Sequence, residues 1–545
     1  MTAICKCGVK CLENITAKRK GGFLSGVVVL TASTILVKIL GLVYRIPMLR
    51  LLGAEGMGYF NTSFELYALI AVTATAGLPV ALSVRISGSL AGGRYGEVRK
   101  TYRTALALFL AVGLAGAAVL AFGSVPLAAF LKSGNARPSI LAIAPALFFT
   151  CAAGALRGYF QGFGNMVPTA VSQLIEAAGK LVFGLLFANL AASRGAGTPI
   201  ITAFAVIGFG VGTAVALVYL IAEKKRLEDR VPGTAKPVAE SVSGKPEHVL
   251  RGLLALALPV TLASSVTGFN RILDMTLILR RLQTIGYDAS AANELYGAYT
   301  TLALPVFHLV PSLITSVALP LLPSVASARE SGDRDGERSV ISSALRLTAL
   351  LALPASLALT AFARPVLELL FRGQEKAVSV SAPLLSMLGV SVFFSCLMTV
   401  AGAVLQAYHR VLVPIRAMAI GIVVKAISAY LLIGIPSVGI TGAPLSTFLC
   451  GFAVTAVEMY HVVKNAPDGL SFRDLFFRPF AAATVSVGAA TVSAVVFPGV
   501  MEGRGQTLLL FAACAAIYLL LVLAFGAATP GQLKMLVPRR KQPGK

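Results

Sequence analysis

The sequence predicts an all-α membrane protein with 14 transmembrane helices, and three observations carry that reading. Hydrophobic residues make up 57% of its 545 positions, material for roughly fifteen crossings at about 20 apolar residues each. Charged residues are only 13%, about half the share of a soluble domain, and mean hydropathy is +0.82. The apolar residues also fall in long runs separated by short basic loops. In hydrocarbon such a run satisfies its own backbone hydrogen bonds only as a helix, because barrel strands need about ten residues of alternating pattern. A water-soluble enzyme and a disordered polymer are excluded.

The runs occupy 24–46, 60–88, 103–123, 138–161, 167–190 and 199–221, then 252–279, 294–325, 341–362, 378–406, 412–433, 440–463, 478–498 and 506–527. Residues 1–22 carry Lys6, Lys10, Lys18, Arg19 and Lys20 and resemble the start of a signal peptide. The run that follows is too long and lacks a clear cleavage site, so it reads as the first permanent helix. A cytoplasmic N-terminus places about thirty Lys and Arg on one side of the membrane and about ten on the other. That side includes Lys224, Lys225, Arg226 and Arg230 in one loop and Arg539, Arg540 and Lys541 near the end. Both termini are therefore expected in the cytoplasm, and the protein in the cell membrane.

The longest polar interruption, 223–250, holds Pro232, Gly233, Pro237, Gly244 and Pro246. It reads as a linker between an N-terminal six-helix lobe, 23–222, and a C-terminal six-helix lobe, 251–464. Two additional helices fill 465–528, and 529–545 is a basic tail. A faint internal repeat joins the lobes. Glu65-Leu66-Tyr67 is echoed by Glu294-Leu295-Tyr296, and the stretch from Tyr159 to Lys180 by that from Tyr408 to Lys425, each with a proline entering a helix (Pro168, Pro414). An offset of six spans preserves direction through the membrane, so the lobes would be related by a pseudo-twofold along the membrane normal.

The net charge of +24 is spread over short loops with no dense arm or aromatic platform, so it reads as membrane topology and not as nucleic-acid binding. Of seven cysteines, Cys151, Cys396, Cys450 and Cys514 sit inside apolar runs as small core residues. Cys5, Cys7 and Cys11 have no nearby fourth ligand and make an incomplete zinc site. No metal or cofactor is expected.

A charge inside the hydrocarbon region is costly and must face protein or water. Lys38 and Arg45 lie seven residues apart on the first span, within roughly 20 degrees of one face and about 10 Å apart along the axis. Arg45, just before Pro47, has the alternative of snorkelling to the interface. Glu176 and Lys180 stand at i,i+4 and could neutralise each other, and Arg271 and Asp274 at i,i+3 form a second candidate pair or gate. Lys425 has no acid near it on its own helix and is the sharper candidate for lining a cavity. Glu65 and Glu294 read as solvated caps, and His308, among Pro305, Pro311 and Pro320, as a polar packing residue on a helix that should kink or unwind.

No GxxxxGK[ST] loop appears, and no soluble stretch is long enough for a nucleotide-binding domain, so ATP-driven transport within this chain is excluded. The external loops hold no convincing acid–base pair, metal triad or nucleophile, which favours translocation over bond making. A cationic cleft without an energy domain suits an anionic amphipathic solute, such as a diphosphate-linked lipid.

Residues 34–47, Thr-Ile-Leu-Val-Lys-Ile-Leu-Gly-Leu-Val-Tyr-Arg-Ile-Pro, followed by Leu52 to Gly58 and Thr75 to Ala81, resemble the opening of the stage V sporulation protein B group. That group lies in the polysaccharide-exporter branch of the multidrug/oligosaccharidyl-lipid/polysaccharide flippase superfamily. Leu258-Pro259, Asn270 to Asp274, Leu295-Tyr296, Leu304-Pro305 and Leu319 to Ser324 are similar to the murein lipid II flippases. The resemblance implies a two-lobed, alternating-access exporter of an undecaprenyl-diphosphate-linked saccharide or peptidoglycan precursor. It implies that Lys38 and Arg45 grip the diphosphate. Basic residues that such flippases carry on the second and eighth helices fall here near Glu65 and Thr300, a departure from strict lipid II specificity. The expected contacts are Lys38, Arg45, Lys180 and Lys425, with Arg271, Asp274 and Glu176 as gate or ion-pair residues. The expected partners are lipid-linked saccharide, membrane lipid and cell-wall synthesis enzymes, on a monomer. A cation-coupled drug exporter and a non-transporting scaffold are the alternatives.

Overall fold

The computed structural model describes the backbone of residues 2–92, 94–230, 246–467, 473–497 and 503–526 and, with a few exceptions within helices, the side chains from Ser33 onward. The side chains of Cys5, Cys7 and Cys11, most of the linker and the C-terminal tail lie outside what is described.

Every regular element among them is helical. The helices are α1 (Thr2–Thr75), α2 (Leu78–Ala91), α3 (Tyr95–Phe122), α4 (Ser124–Phe130), α5 (Arg137–Gly162), α6 (Val167–Ser193), α7 (Thr198–Arg230), α8 (Pro246–Thr284) and α9 (Ala289–Ala298). They continue as α10 (Leu304–Glu330), α11 (Arg334–Ala361), α12 (Ala363–Leu370), α13 (Glu375–Ala407), α14 (Leu412–Ile433), α15 (Gly442–Asn465), α16 (Arg478–Val496) and α17 (Arg504–Ala524). Thirteen segments among the described residues are long and apolar enough to cross a membrane. The first, Leu36–Ala91, is 56 residues long, about twice a single crossing. It takes in part of the sequence's first apolar run and all of the second.

Two local devices break this long stretch. Gly53 has φ 67° and ψ 178°, a region essentially closed to residues with a Cβ, so α1 is two helical segments meeting at that residue. Ala76 and Gly77 then separate α1 from α2. Further along, Tyr299–Ala303 forms a π-helical turn between α9 and α10, just ahead of the proline-rich stretch that the sequence expects to be irregular. A π turn of this kind re-aims the side chains on either side of it.

The chain forms two compact units, one of residues 1–283 and 287–297, the other of 284–286 and 298–545. In the first, α5 is enclosed over most of its length, and α8 packs on α1 and α2. Ser265 Oγ is 3.1 Å from Thr73 Oγ1, and Gly77 lies against the Ala257 carbonyl. Helices α6 and α7 meet backbone to backbone at Gly179 and Gly212. A Cβ on Gly212 would stand 2.9 Å from the Gly179 carbonyl carbon and from the Lys180 nitrogen. Small residues permit such close crossings in lipid, where close packing is what draws helices together.

In the second unit α13 is the buried element. Helices α16 and α17 close on α11 through Ala349, Leu353, Ala482, Tyr518 and Val522, and the Tyr518 hydroxyl donates to the Leu350 carbonyl at 2.9 Å. At one end, Glu337 of α11 is 5% exposed. It accepts from the Tyr408 hydroxyl at 2.5 Å and from Arg329 at 3.3 Å, and the Arg329 guanidinium stacks over the Tyr408 ring at 4.1 Å.

Gly212→Val should force α6 and α7 apart and destabilise the first unit by about 1–3 kcal/mol, read as a lower melting temperature in detergent. Gly488→Val on α16, where an added Cβ meets nothing within 4 Å, should have a much smaller effect.

Candidate functional site: a cationic seam in the first unit

The two segments of α1 carry an aromatic wall at helical spacing. Tyr44 precedes the Gly53 break, and Phe60, Phe64 and Tyr67 follow it. Phe60 and Phe64 stack at 5.8 Å, and Phe209 of α7 meets Phe64 and Tyr67 edge-on at 5.2 and 5.3 Å. The ammonium of Lys180 is set against this wall. Its Nζ is 4.1 Å from the centre of the Phe64 ring, 5.0 Å from those of Tyr44 and Phe60, and 5.6 Å from that of Phe209. Ring faces are electronegative and hold a desolvated cation, each good contact contributing about 1–2 kcal/mol.

They do not supply hydrogen-bond acceptors of the usual strength. Among the described residues, Lys180 makes no hydrogen bond and no ion pair.

Glu176, one turn earlier on α6, faces elsewhere. It pairs with Arg157 of α5, whose Nη2 is 2.8 Å from Oε2 while Nε donates to Ser172 Oγ at 3.0 Å. Their side chains are 20% and 15% exposed. Glu176 is thus in an ion pair, as its position suggested, but with a residue on a neighbouring helix. Arg157 was not singled out from the sequence. The signal was present, since it falls inside the apolar run 138–161, where a charge needs a reason.

A second group of charges lies on α1 and α8. Arg271 Nε is 3.5 Å from Glu65 Oε2, with side chains 46% and 26% exposed. Glu65, read from the sequence as a solvated cap, is therefore half-buried and faces a cation. Asp274 adds its charge to the same field. Arg45, half-buried, is in Coulombic range of Glu65 and of Tyr44 and Tyr296, and Lys180 is in range of both Arg45 and Glu176. The structure therefore gathers Arg45, Arg157, Lys180 and Arg271 with Glu65, Glu176 and Asp274 in one unit, four cations with three acids. The excess positive charge is suited to a polyanionic group that brings its own acceptor oxygens.

Lys38 is exposed on the first segment of α1. Lys425 belongs to the second unit, where it is 5% exposed on α14. Glu294 and His308 are both exposed, and the His308 ring lies 4.9 Å from that of Phe307.

This helical fold, with charges gathered inside its first unit, defines a multi-pass membrane protein of the flippase and multidrug-transporter type. The family model described as polysaccharide biosynthesis protein matches residues 23–326, more than half of the chain, and the protein belongs to that family. A second model, MatE, matches 298–431. Stage V sporulation protein B of Bacillus subtilis (strain 168) is 26% identical over 531 residues, covering 95% of this chain and 98% of its own. Lipid II flippase MurJ of the same organism is 26% identical over 475 residues, covering 84% of this chain and 85% of its own. Among solved structures, a lipid II flippase MurJ in an inward closed conformation superposes with a TM-score of 0.69 at 16% identity, covering 91% of this chain and 98% of its own. An inward-facing multidrug resistance MATE transporter reaches 0.60 at 14% identity, covering 78% of this chain and 98% of its own.

Two outcomes check the site. Glu176→Ala leaves Arg157 enclosed without its acid and should destabilise the protein by about 3–5 kcal/mol, measured by thermal unfolding in detergent. Arg157→Met combined with Glu176→Leu should recover most of that loss. A double-mutant cycle of Lys180→Met with Phe64→Leu should give a coupling of about 1–2 kcal/mol.

Proposed function

We propose that this protein is a flippase that carries an undecaprenyl-diphosphate-linked saccharide, such as a peptidoglycan precursor, from the cytoplasmic to the outer leaflet of the cell membrane by alternating access. The observation that carries the reading is Lys180, an ammonium held by ring faces alone, whose charge is the one left over among the four cations and three acids gathered in this unit. Its N–H groups have no protein acceptor among the described residues, so a diphosphate would meet unused donors in a low-dielectric setting. Hydrogen bonds between ionised partners are the strong ones there. Arg45 and Lys38 extend the positive surface along α1. Arg271, already beside Glu65, would exchange that acid for the headgroup, with Asp274 and Glu176 as acids that re-form pairs once it leaves. Lys425 is the counterpart of Lys180 in the sequence repeat and would serve the second unit.

Direction needs no chemistry by the protein. With both termini in the cytoplasm and an inside-negative potential, each negative charge carried outward gains about 2.3 kcal/mol per 100 mV. The relatives support the class of cargo and not the sugar, since a sporulation protein and a lipid II flippase are equally similar, at 26%.

A cation-coupled drug exporter is the second reading, favoured by the MatE match and the MATE superposition. The ammonium of Lys180 already occupies the ring faces that a cationic drug would use, which disfavours cationic drugs as cargo.

In sealed vesicles holding fluorescent lipid II, the protein should accelerate exposure of the headgroup over empty vesicles. Lys180→Gln, which removes one charged hydrogen bond worth about 1.5–3 kcal/mol, should slow it by about 10- to 150-fold. Folded protein without acceleration would reject the cargo, and undiminished flipping by Lys180→Gln would reject the site.

A further inference from the structure

Glu458 of α15 lies seven residues before the helix ends at Asn465, inside a segment apolar enough to cross the membrane. It is 3% exposed. Its Oε2 is buried without a hydrogen-bond partner, and among the described residues the side chain has no ion pair. The chargeable groups on the surrounding elements are otherwise placed. On α13 and its end these are Glu375 and Lys376, both exposed at its start, Cys396, and Tyr408, the last donating to Glu337. On α14 they are Arg416 and Tyr430, which are exposed, and Lys425, which is buried. On α15 itself, Cys450 faces Ala417 and Val454, the His461 Nδ1 is 2.9 Å from the Val457 carbonyl, and Lys464 is over the Tyr460 ring. None is within hydrogen-bond or ion-pair distance of Glu458.

An ionised carboxylate enclosed in this way forfeits hydration with nothing in exchange, a penalty comparable to the net stability of a domain. The neutral acid avoids it. The flank facing α13 is occupied by Gly402, where a Cβ would lie 3.7 and 3.9 Å from the two carboxyl oxygens. The missing methyl leaves an atom-sized gap beside the acid. A metal cation would need several oxygen ligands, and among the described residues no group of three acidic, His or Cys side chains surrounds this point. A proton needs only the carboxyl.

We propose that Glu458 is a proton-binding site on the seam between α13 and α15. It carries its proton in the conformation described here. When the seam opens to water, the O–H bond breaks, the proton passes to a water molecule and a hydrated carboxylate remains. Movement of the second unit is thereby tied to proton uptake and release. The site stands by itself, and only its coupling to export rests on the function proposed above.

The test uses the full chain in lipid nanodiscs and vesicles. Infrared difference spectra between acidic and alkaline buffer should show the carbonyl stretch of a protonated carboxylic acid that is absent from Glu458→Gln and retained in Glu65→Gln. An identical band in Glu458→Gln overturns the proposal. Gly402→Ala keeps the acid but fills the gap, and should slow hydrogen–deuterium exchange of that band severalfold; an unchanged rate counts against the access route. In vesicles with fluorescent lipid II and a lumenal pH dye, wild-type flipping should be accompanied by a pH change that Glu458→Gln lacks. Equal pH changes with flipping intact overturn the coupling. The infrared band without flipping by either protein supports the proton site and rejects the flippase.

Discussion

A positive charge taken into a hydrocarbon slab must be given something in place of water, and the first unit is arranged around that constraint. It uses two solutions side by side. Arg157 and Arg271 are matched with carboxylates on neighbouring helices, and Lys180 is held by aromatic faces. The solutions differ in what they leave available. A carboxylate occupies the donors of its partner, whereas a ring face stabilises the charge and leaves N–H groups able to donate to a better acceptor. The same side chains that make the seam stable are thus those that leave it receptive.

Much of the fold was legible because hydropathy is an averaged quantity. A run of twenty apolar residues reports a helix whatever its detailed contacts, and the motifs of the first span carry the family resemblance in their residues alone. Conformation at single residues was harder to read. The break at Gly53 depends on a backbone angle that Leu52-Gly53-Ala54 permits without demanding, and the division into compact units places α8 with the first unit through contacts such as Thr73 with Ser265. Those contacts are tertiary and leave no trace in the local pattern.

The site shows the same division. That Lys180, Arg271 and Glu176 needed partners followed from their position in apolar runs. Which partners they took did not, because spacing along one helix only proposes neighbours on that helix, and Glu176 and Arg271 are matched across helices instead. One sequence signal went unused. Gly92-Gly93-Arg94-Tyr95-Gly96-Glu97 and Gly332-Asp333-Arg334-Asp335-Gly336-Glu337 share a G-x-R-x-G-E pattern. Both acids cap local networks, Glu97 with Ser89 and Arg94, Glu337 with Tyr408 and Arg329. This is a longer internal echo than the three-residue match between Glu65 and Glu294.

The glycine crossing of α6 and α7 has a mechanical consequence. Because Gly212 abuts the backbone nitrogen of Lys180 as well as Gly179, no side chain intervenes between the two helices at the residue whose side chain bears the ammonium. The root of the lysine is mounted on a stiff bearing. A tilt of α7 moves that backbone and also moves Phe209, one of the rings beside the ammonium, so the seam's electrostatics keep step with the tilt of a helix pair.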